Sequence, residues 1–332
     1  MVTALLRIGR RRAAQAAAAA AVALALLLWW MQPFGKPASP QGAVAFTTGV
    51  PTGVYARYGE LLKRYLAKDL PDIDVRLRSS EGSVQNIRRL ISGEADFTIA
   101  TSDAVAAYRD EGGRDADRLR ACARLYDDYM QLVVPADSDV RRTADLRGKR
   151  VGIGQRGSGV SLITGRLLKA AGLDAENDID AVRKGIDAMP DLLRQGKIDA
   201  FFWSGGLPTG AVSDLADDFD IRLVQLGDLV DGLHAQGPAT RHYRAAVMPA
   251  DAYPRVQKGE AVKTIAVSNL LVTTDRTDPG LTEGITRTVI DSRDRIGSQV
   301  HAAQLVDLRT AIFTDPLDLH EGARRYYRSV KP

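Results

Sequence analysis

From residue 43 onward one unit recurs along the chain: a short apolar run, a turn of Gly, Ser and Thr, then a stretch with apolar residues three and four apart. "AVAFTTGVPTG" (Ala43–Gly53) leads into Tyr55, Tyr58, Leu61, Leu62, Tyr65 and Leu66, and "VRLRSSEGS" (Val75–Ser83) into Val84, Ile87, Leu90 and Ile91. "FTIATSD" leads into Ala104, Val105 and Tyr108, "RVGIGQRGSG" into Val160, Ile163, Leu167 and Leu168, and "DAFFWSGGLPT" into Val212 and Leu215. Apolar runs of this length predict buried strands, and the 3.6-residue spacing predicts amphipathic helices, with Ser83 as a helix N-cap. Strand and helix in alternation predict an α/β fold with mostly parallel sheets.

An internal echo divides this pattern in two. "LISGEADFTIATSD" (Leu90–Asp103) and "LRQGKIDAFFWSGG" (Leu193–Gly206) each close a helix, turn at a glycine (Gly93, Gly196), place an aspartate three residues later (Asp96, Asp199) and enter an apolar strand. Two similar lobes with a cleft between them suit this repetition and the 332-residue length.

In open α/β sheets a ligand sits beyond the carboxyl ends of the strands, where helix N-termini also point. Unpaired N–H groups there carry partial positive charge and receive anions, glycine lets the backbone approach, and Ser or Thr adds neutral donors. The first turn offers Thr48, Gly49, Thr52, Gly53, Val54 and Tyr55; the second offers Ser80 and Ser83; the third, Thr101 and Ser102. From the second lobe come Arg156, Gly157, Ser158, Gly159 and Val160, then Trp203, Gly205, Gly206, Pro208 and Thr209. Tyr55 and Trp203 are expected to wall a ligand, with core packing as the other reading, and Arg156 to pair a carboxylate through its planar fork. For any one of these turns, simple helix capping is the alternative.

The N-terminus has its own character. Arg7, Arg10, Arg11, Arg12 and Lys36 precede Ala43 without an acid among them; the rest of the chain holds 40 basic against 41 acidic residues, so the net charge of +4 resides at the N-terminus. A nucleic-acid footprint is absent from this balance. Residues 1–12 read as a basic cytoplasmic segment and 13–31 as a signal anchor, because 19 residues from Ala13 to Met31 span about 28 Å as a helix, close to the ~30 Å hydrocarbon core. The positive-inside rule puts the chain beyond Met31 on the extracytoplasmic side, and 32–42, rich in Pro and Gly, reads as a linker. A cleaved signal peptide, giving a secreted form, is the alternative.

Other chemistries find little support. Cys122 is the only cysteine, and His234, His242, His301 and His320 show no metal-ligand spacing, so no metal site and no cofactor are expected. "GIGQRG" (Gly152–Gly157) matches a dinucleotide fingerprint, but it lies mid-chain and its last glycine runs into Ser158-Gly159 before the helix. Nothing resembles a nucleophile elbow around Ser158, and the strand-end turns lack an acid–base pair. An enzyme is therefore not expected.

The motifs "TTGVPTGVYARYGELL", "RSSEGSVQNIRRLISGEADFTIATSD", "LRACARLYDDYMQLVV", "DLRGKRVGIGQRGSG", "KIDAFFWSGGLPTG", "YRAAVMPADAYP" and "LDLHEGARRYYR" occur in this order. Together they resemble the TAXI family of solute-binding proteins that serve TRAP transporters. The resemblance implies a two-lobed, type II-like periplasmic-binding-protein fold. It implies a small organic anion or amino acid as ligand, of the glutamate or 2-oxoglutarate kind, and TRAP membrane subunits as partners. Lobe 1 is expected to comprise 43–133 and 246–332, and lobe 2 to comprise 134–245, hinged near Val133-Val134 and between Tyr243 and Val272. Departures from the family pattern fall on the ligand side: Val54 and Val160 stand where a small donor is usual, and Glu81 brings a negative charge beside the second turn. A membrane-anchored sensor using the same cleft without transport is the other function considered.

Overall fold

The computed structural model describes residues 15, 17–24 and 40–330. The chain forms two units, 1–39 and 40–332. In the first, residues 17–24 are helical and exposed. Most of the expected anchor at 13–31, the basic segment 1–12 and most of the linker lie outside the described residues. Among the described residues no helix is long and apolar enough to cross a membrane.

The second unit is built on a ten-stranded sheet, and the strands follow the apolar runs. They are β1 (Gly42–Thr47), β2 (Ile73–Arg78), β3 (Phe97–Thr101), β4 (Leu119–Pro135), β5 (Arg150–Gly152), β6 (Asp180–Val182), β7 (Ala200–Gly205), β8 (Ile221–Val224), β9 (Arg244–Met248) and β10 (Val262–Thr274). The path runs β2-β1-β3-β10-β4-β7-β5-β6, with β8 on β4 and β9 on β10. The helices that matter for the site are α1 (Val54–Asp69), α2 (Ser83–Ser92), α3 (Ser102–Asp110) and α4 (Gly159–Ala170). Each follows a strand and its turn, as the pattern predicts.

Four apolar cores show that the unit has two lobes. Phe46, Leu61, Phe97 and Ile285 pack on one face of β2-β1-β3, and Ile87, Val105 and Leu270 on the other. Leu132, Val151, Leu167 and Ile265 form one core of the second lobe, and Val133, Phe201, Leu215 and Met248 the opposite one. A sheet covered on both faces has strands that are apolar throughout, which explains why "DAFFW" reads as a run rather than an alternation.

Two long strands join the lobes. β4 pairs β10 from Leu119 to Tyr129 and then β7 from Tyr129 to Val133. β10 pairs β9 over Val262–Ala266 and β3 over Asn269–Val272. The strands therefore change lobe near Asp127–Tyr129 and Ala266–Asn269, where the register between them shifts around Ser268 and Leu270. Val133 and Val134 lie inside the second lobe, paired with Phe201, Leu223 and Arg222, and β9 with the first half of β10 belongs to that lobe too. Strand pairing thus sets wider limits for the second lobe than 134–245, because one continuous strand serves both sheets.

The sequence echo has a structural counterpart. Asp96 accepts from Ala45 N at 2.8 Å on Oδ2 while its own N–H donates to Ala45 O, also 2.8 Å. Asp199 does the same with Arg150, at 2.8 Å both ways. Gly93 and Gly196, at φ +78° and +63°, end the preceding helices in the left-handed conformation.

Candidate functional site

A cavity of about 70 Å³ lies where the lobes meet. Its walls are strand ends and helix starts: Gly53, Val54 and Tyr55 at the head of α1, Gly82 and Ser83 at α2, Ser158, Gly159 and Val160 at α4, with Thr101, Asp128, Trp203, Ser204 and Gly205 from β3, β4 and β7. The lobes touch around it. Gln85 N donates to Gly157 O across the seam at 3.0 Å, and Gln155 Nε2 donates to Glu81 O at 3.0 Å. Gly82 has a φ of +126°, and a Cβ there would come 3.3 Å from Ser158 Cα. Glycine is what lets the two turns close on each other.

A chain of hydrogen bonds runs along the floor with its donors all oriented one way. Thr101 N donates to Ser83 Oγ at 3.2 Å, and the Ser83 and Tyr55 hydroxyls are 3.1 Å apart. The Tyr55 hydroxyl donates to Asn269 Oδ1, and Asn269 Nδ2 donates to Asp128 Oδ1 at 2.7 Å. The chain ends on Asp128, which is 4% exposed. Burial pushes its carboxyl up to about 7, against the opposing pull of the Asn269 amide. Its neighbour Asp127 faces the other way. Burial raises that carboxyl too, but Arg124 at 2.9 Å and Arg244 at 2.7 Å outweigh it and hold it below the ordinary range.

Two hydroxyls on the cavity wall are buried: Thr101 Oγ1 has no hydrogen-bond partner, and Ser204 Oγ lies beside the Asp128 carboxyl. An unsatisfied buried hydroxyl costs roughly 1–3 kcal/mol, so Thr101 is poised for a ligand atom. No Arg, Lys or His is among the residues lining the cavity. Ser158 Oγ donates to Gln155 O at 2.7 Å and accepts from Ser161 N at 3.0 Å, so its hydroxyl caps α4 and has no base beside it. Among the described residues no three His, Cys, Asp or Glu gather to hold a metal.

Of the residues expected from the sequence, the structure brings Gly49, Gly53, Val54, Tyr55, Ser83, Thr101, Ser158, Gly159, Val160, Trp203 and Gly205 to the cavity. The others are placed elsewhere. Thr48 O receives Ser80 Oγ at 3.0 Å and Asn86 Nδ2 at 2.6 Å, so Thr48 and Ser80 brace the first two turns against each other. Thr52, Arg156 and Pro208 are exposed outside the lining, and Arg156 has no part in the cavity wall. Ser102 is buried at the start of α3, and Gly157 lies against the Glu81 side chain at the seam. Gly206 packs on Ala302, where a Cβ would stand 2.6 Å from the alanine methyl. Thr209 Oγ1 accepts from Trp203 Nε1 at 3.1 Å and so holds the indole from behind. Gly205 is small for that indole's sake, since its Cβ would come 2.6 Å from Trp203 Nε1. Ser83 is the first residue of α2 with Gly82 in the cap position, and its hydroxyl joins the floor chain instead of capping.

Sequence reasoning missed Asp128, Asn269, Ser204 and Gln155. The pair Asp127-Asp128 inside "RLYDDYMQLVV" was the available signal, because one of two adjacent strand carboxylates must face inward.

Known structures share this architecture. A protein of Bordetella bronchiseptica RB50 aligns over 88% of this chain and 90% of its own at 18% identity, with a TM-score of 0.51. A Listeria monocytogenes protein described as an L-cystine ABC transporter aligns over 81% and 99% at 14% identity, with a TM-score of 0.50. These likenesses show that the two-lobed α/β fold is shared with known structures. The model of one family matches residues 46–330, the whole two-lobed unit apart from its first strand residues, and by that match the chain belongs to the NMT1-like family.

Proposed function

We propose that this protein is an extracytoplasmic solute-binding protein whose lobes close on one small polar organic molecule, an organic acid or amino acid, for delivery to a TRAP-type secondary transporter. The observation that carries the reading is the cavity at the lobe seam, walled by three helix N-termini and by the partnerless Thr101 hydroxyl. Space of about 70 Å³ corresponds to roughly five waters, which suits a metabolite and leaves no room for a dinucleotide over "GIGQRG". The ordered motifs of the sequence support the TRAP assignment, and the arginine-led apolar segment at 13–31 supports an extracytoplasmic site of action.

Small-angle scattering and thermal unfolding of the chain with and without candidate organic acids and amino acids test the binding. A binder is expected to raise the melting temperature and shrink the radius of gyration, since it favours the closed, folded form. An unchanged radius at saturation removes the closure mechanism. Uptake of the binder into vesicles carrying TRAP membrane subunits, driven by an ion gradient without ATP, tests the delivery.

A further inference from the structure

We infer that Asp128 selects the ligand by its charge: the cavity takes a small zwitterion of the α-amino acid type, its ammonium group on Asp128 and its carboxylate on the helix N-termini. The inference rests on the solute-binding reading above and goes beyond it in assigning the specificity-determining residue and excluding simple organic anions.

The cavity lining carries both signs: partial positive charge at the helix starts, and two carboxylates, the buried Asp128 and the exposed Glu81, whose side chain lies at the seam against Gly157. The helix starts are those of α1, α2 and α4, helices of 16, 10 and 12 residues. No side chain caps the first two, although in α2 the Gln85 N–H is taken by Gly157 O across the seam, and in α4 Ser158 occupies only the Ser161 N–H. Their remaining first-turn N–H groups and partial positive charge favour a carboxylate. Asp128 is the buried carboxylate of the lining, receiving Asn269 Nδ2 on Oδ1 with the Ser204 hydroxyl beside it. The floor chain from Thr101 through Ser83, Tyr55 and Asn269 delivers all its donors toward this carboxylate. Among the cavity-lining residues no basic side chain neutralises it. The adjacent Asp127 shows the contrast, since two guanidiniums attend it on the outer face. A dianion such as 2-oxoglutarate would enter this space with a carboxylate wall and no cation to meet it. A bare amine would satisfy Asp128 but face three positive helix ends. A zwitterion matches both charges, with the Thr101 hydroxyl left to read a remaining polar atom.

Calorimetry on the full chain at pH 8, where the Asp128 carboxyl is ionised, with each standard L-amino acid, the corresponding 2-oxo acid and the corresponding decarboxylated amine tests this. The tightest amino acid is expected to bind at least about 100-fold more strongly than its 2-oxo acid or amine, because each lacks one partner for a buried charge. Asp128→Asn is expected to weaken that amino acid by a similar factor while its ligand-free melting temperature does not fall. Equal binding of the 2-oxo acid or the amine overturns the inference, as does undiminished affinity in a folded Asp128→Asn, and either result leaves solute binding itself intact. If Asp128→Asn does not fold, the wild-type comparison of amino acid with 2-oxo acid decides alone. Failure of all three compound classes to bind removes both this inference and the solute-binding reading.

Discussion

Adjacent in β4, Asp127 and Asp128 point to opposite faces and meet opposite fates: one is paired with Arg124 and Arg244, the other is buried against the cavity with neutral neighbours, the Asn269 amide and the Ser204 hydroxyl. Asp128 is held near 7 in the folded chain by burial, with Asp127 and Asp103 adding like charge, against ~3.9 when unfolded. The folded state therefore keeps a proton that the unfolded state releases, and the associated stability is full below ~3.9 and is lost as pH rises through about 7. Unfolding of the ligand-free chain in urea at pH 4 to 8 should show wild type losing stability relative to Asp128→Asn across that interval and no further above it. A difference between the two that is flat with pH would mean that Asp128 does not hold its proton. At this scale the sequence is half legible. Hydroxyls and glycines in turns announce themselves, whereas Asp128 and Asn269 sit inside strands of ordinary composition, and only the register of β4 against β10 brings them together.

Elements are the most readable level, because each depends on local periodicity. Spacing predicts the strand–turn–helix units, and the paired aspartates of the internal echo turn out to clamp equivalent strand pairs. Asp96 holds β1 beside β3, and Asp199 holds β5 beside β7. Each clamp joins a backbone N–H to a carboxylate, a bond worth about 1 kcal/mol or somewhat more. Asp96→Ala and Asp199→Ala are each expected to lower the urea midpoint accordingly without changing ligand affinity, since both lie at the ends of the strands away from the cavity. A loss of affinity with unchanged midpoint would contradict that role. What periodicity does not reveal is that β4 and β10, 17 and 13 residues long, run through both lobes. A buried strand reads the same whichever sheet it joins, so the lobe limits expected at 134 and 245 fall inside the second lobe's pairing.

Across the whole molecule, the lobes are held together behind the cavity by a buried cluster. Tyr243 of the second lobe donates to Asp103 Oδ2 of α3 at 2.7 Å, Arg166 of α4 donates to the Tyr243 hydroxyl at 2.8 Å, and Arg166 stands 3.9 Å from Asp103. Asp103 is 1% exposed, and its Oδ1 has no partner. This contact forms only when the lobes meet, so it favours closure. Tyr243→Phe removes the bridging hydroxyl and should reduce ligand affinity about tenfold, the equivalent of a hydrogen bond to a charged group. Scattering at saturating ligand should then show a larger radius than in wild type. Unchanged affinity and radius would show that the cluster serves the fold and not the closure. The sequence by itself determined the α/β class, the two-lobed division, the charge asymmetry of the N-terminus and most of the turns that line the cavity. Each of these rests on local periodicity, composition or turn chemistry, which act over a few residues. The tertiary structure alone decided which turns face each other, that Arg156 stays outside, and that a buried carboxylate lines the cavity. Those facts depend on pairings between residues more than a hundred positions apart, such as Asp128 with Asn269 and Asp103 with Tyr243, and no local pattern encodes them.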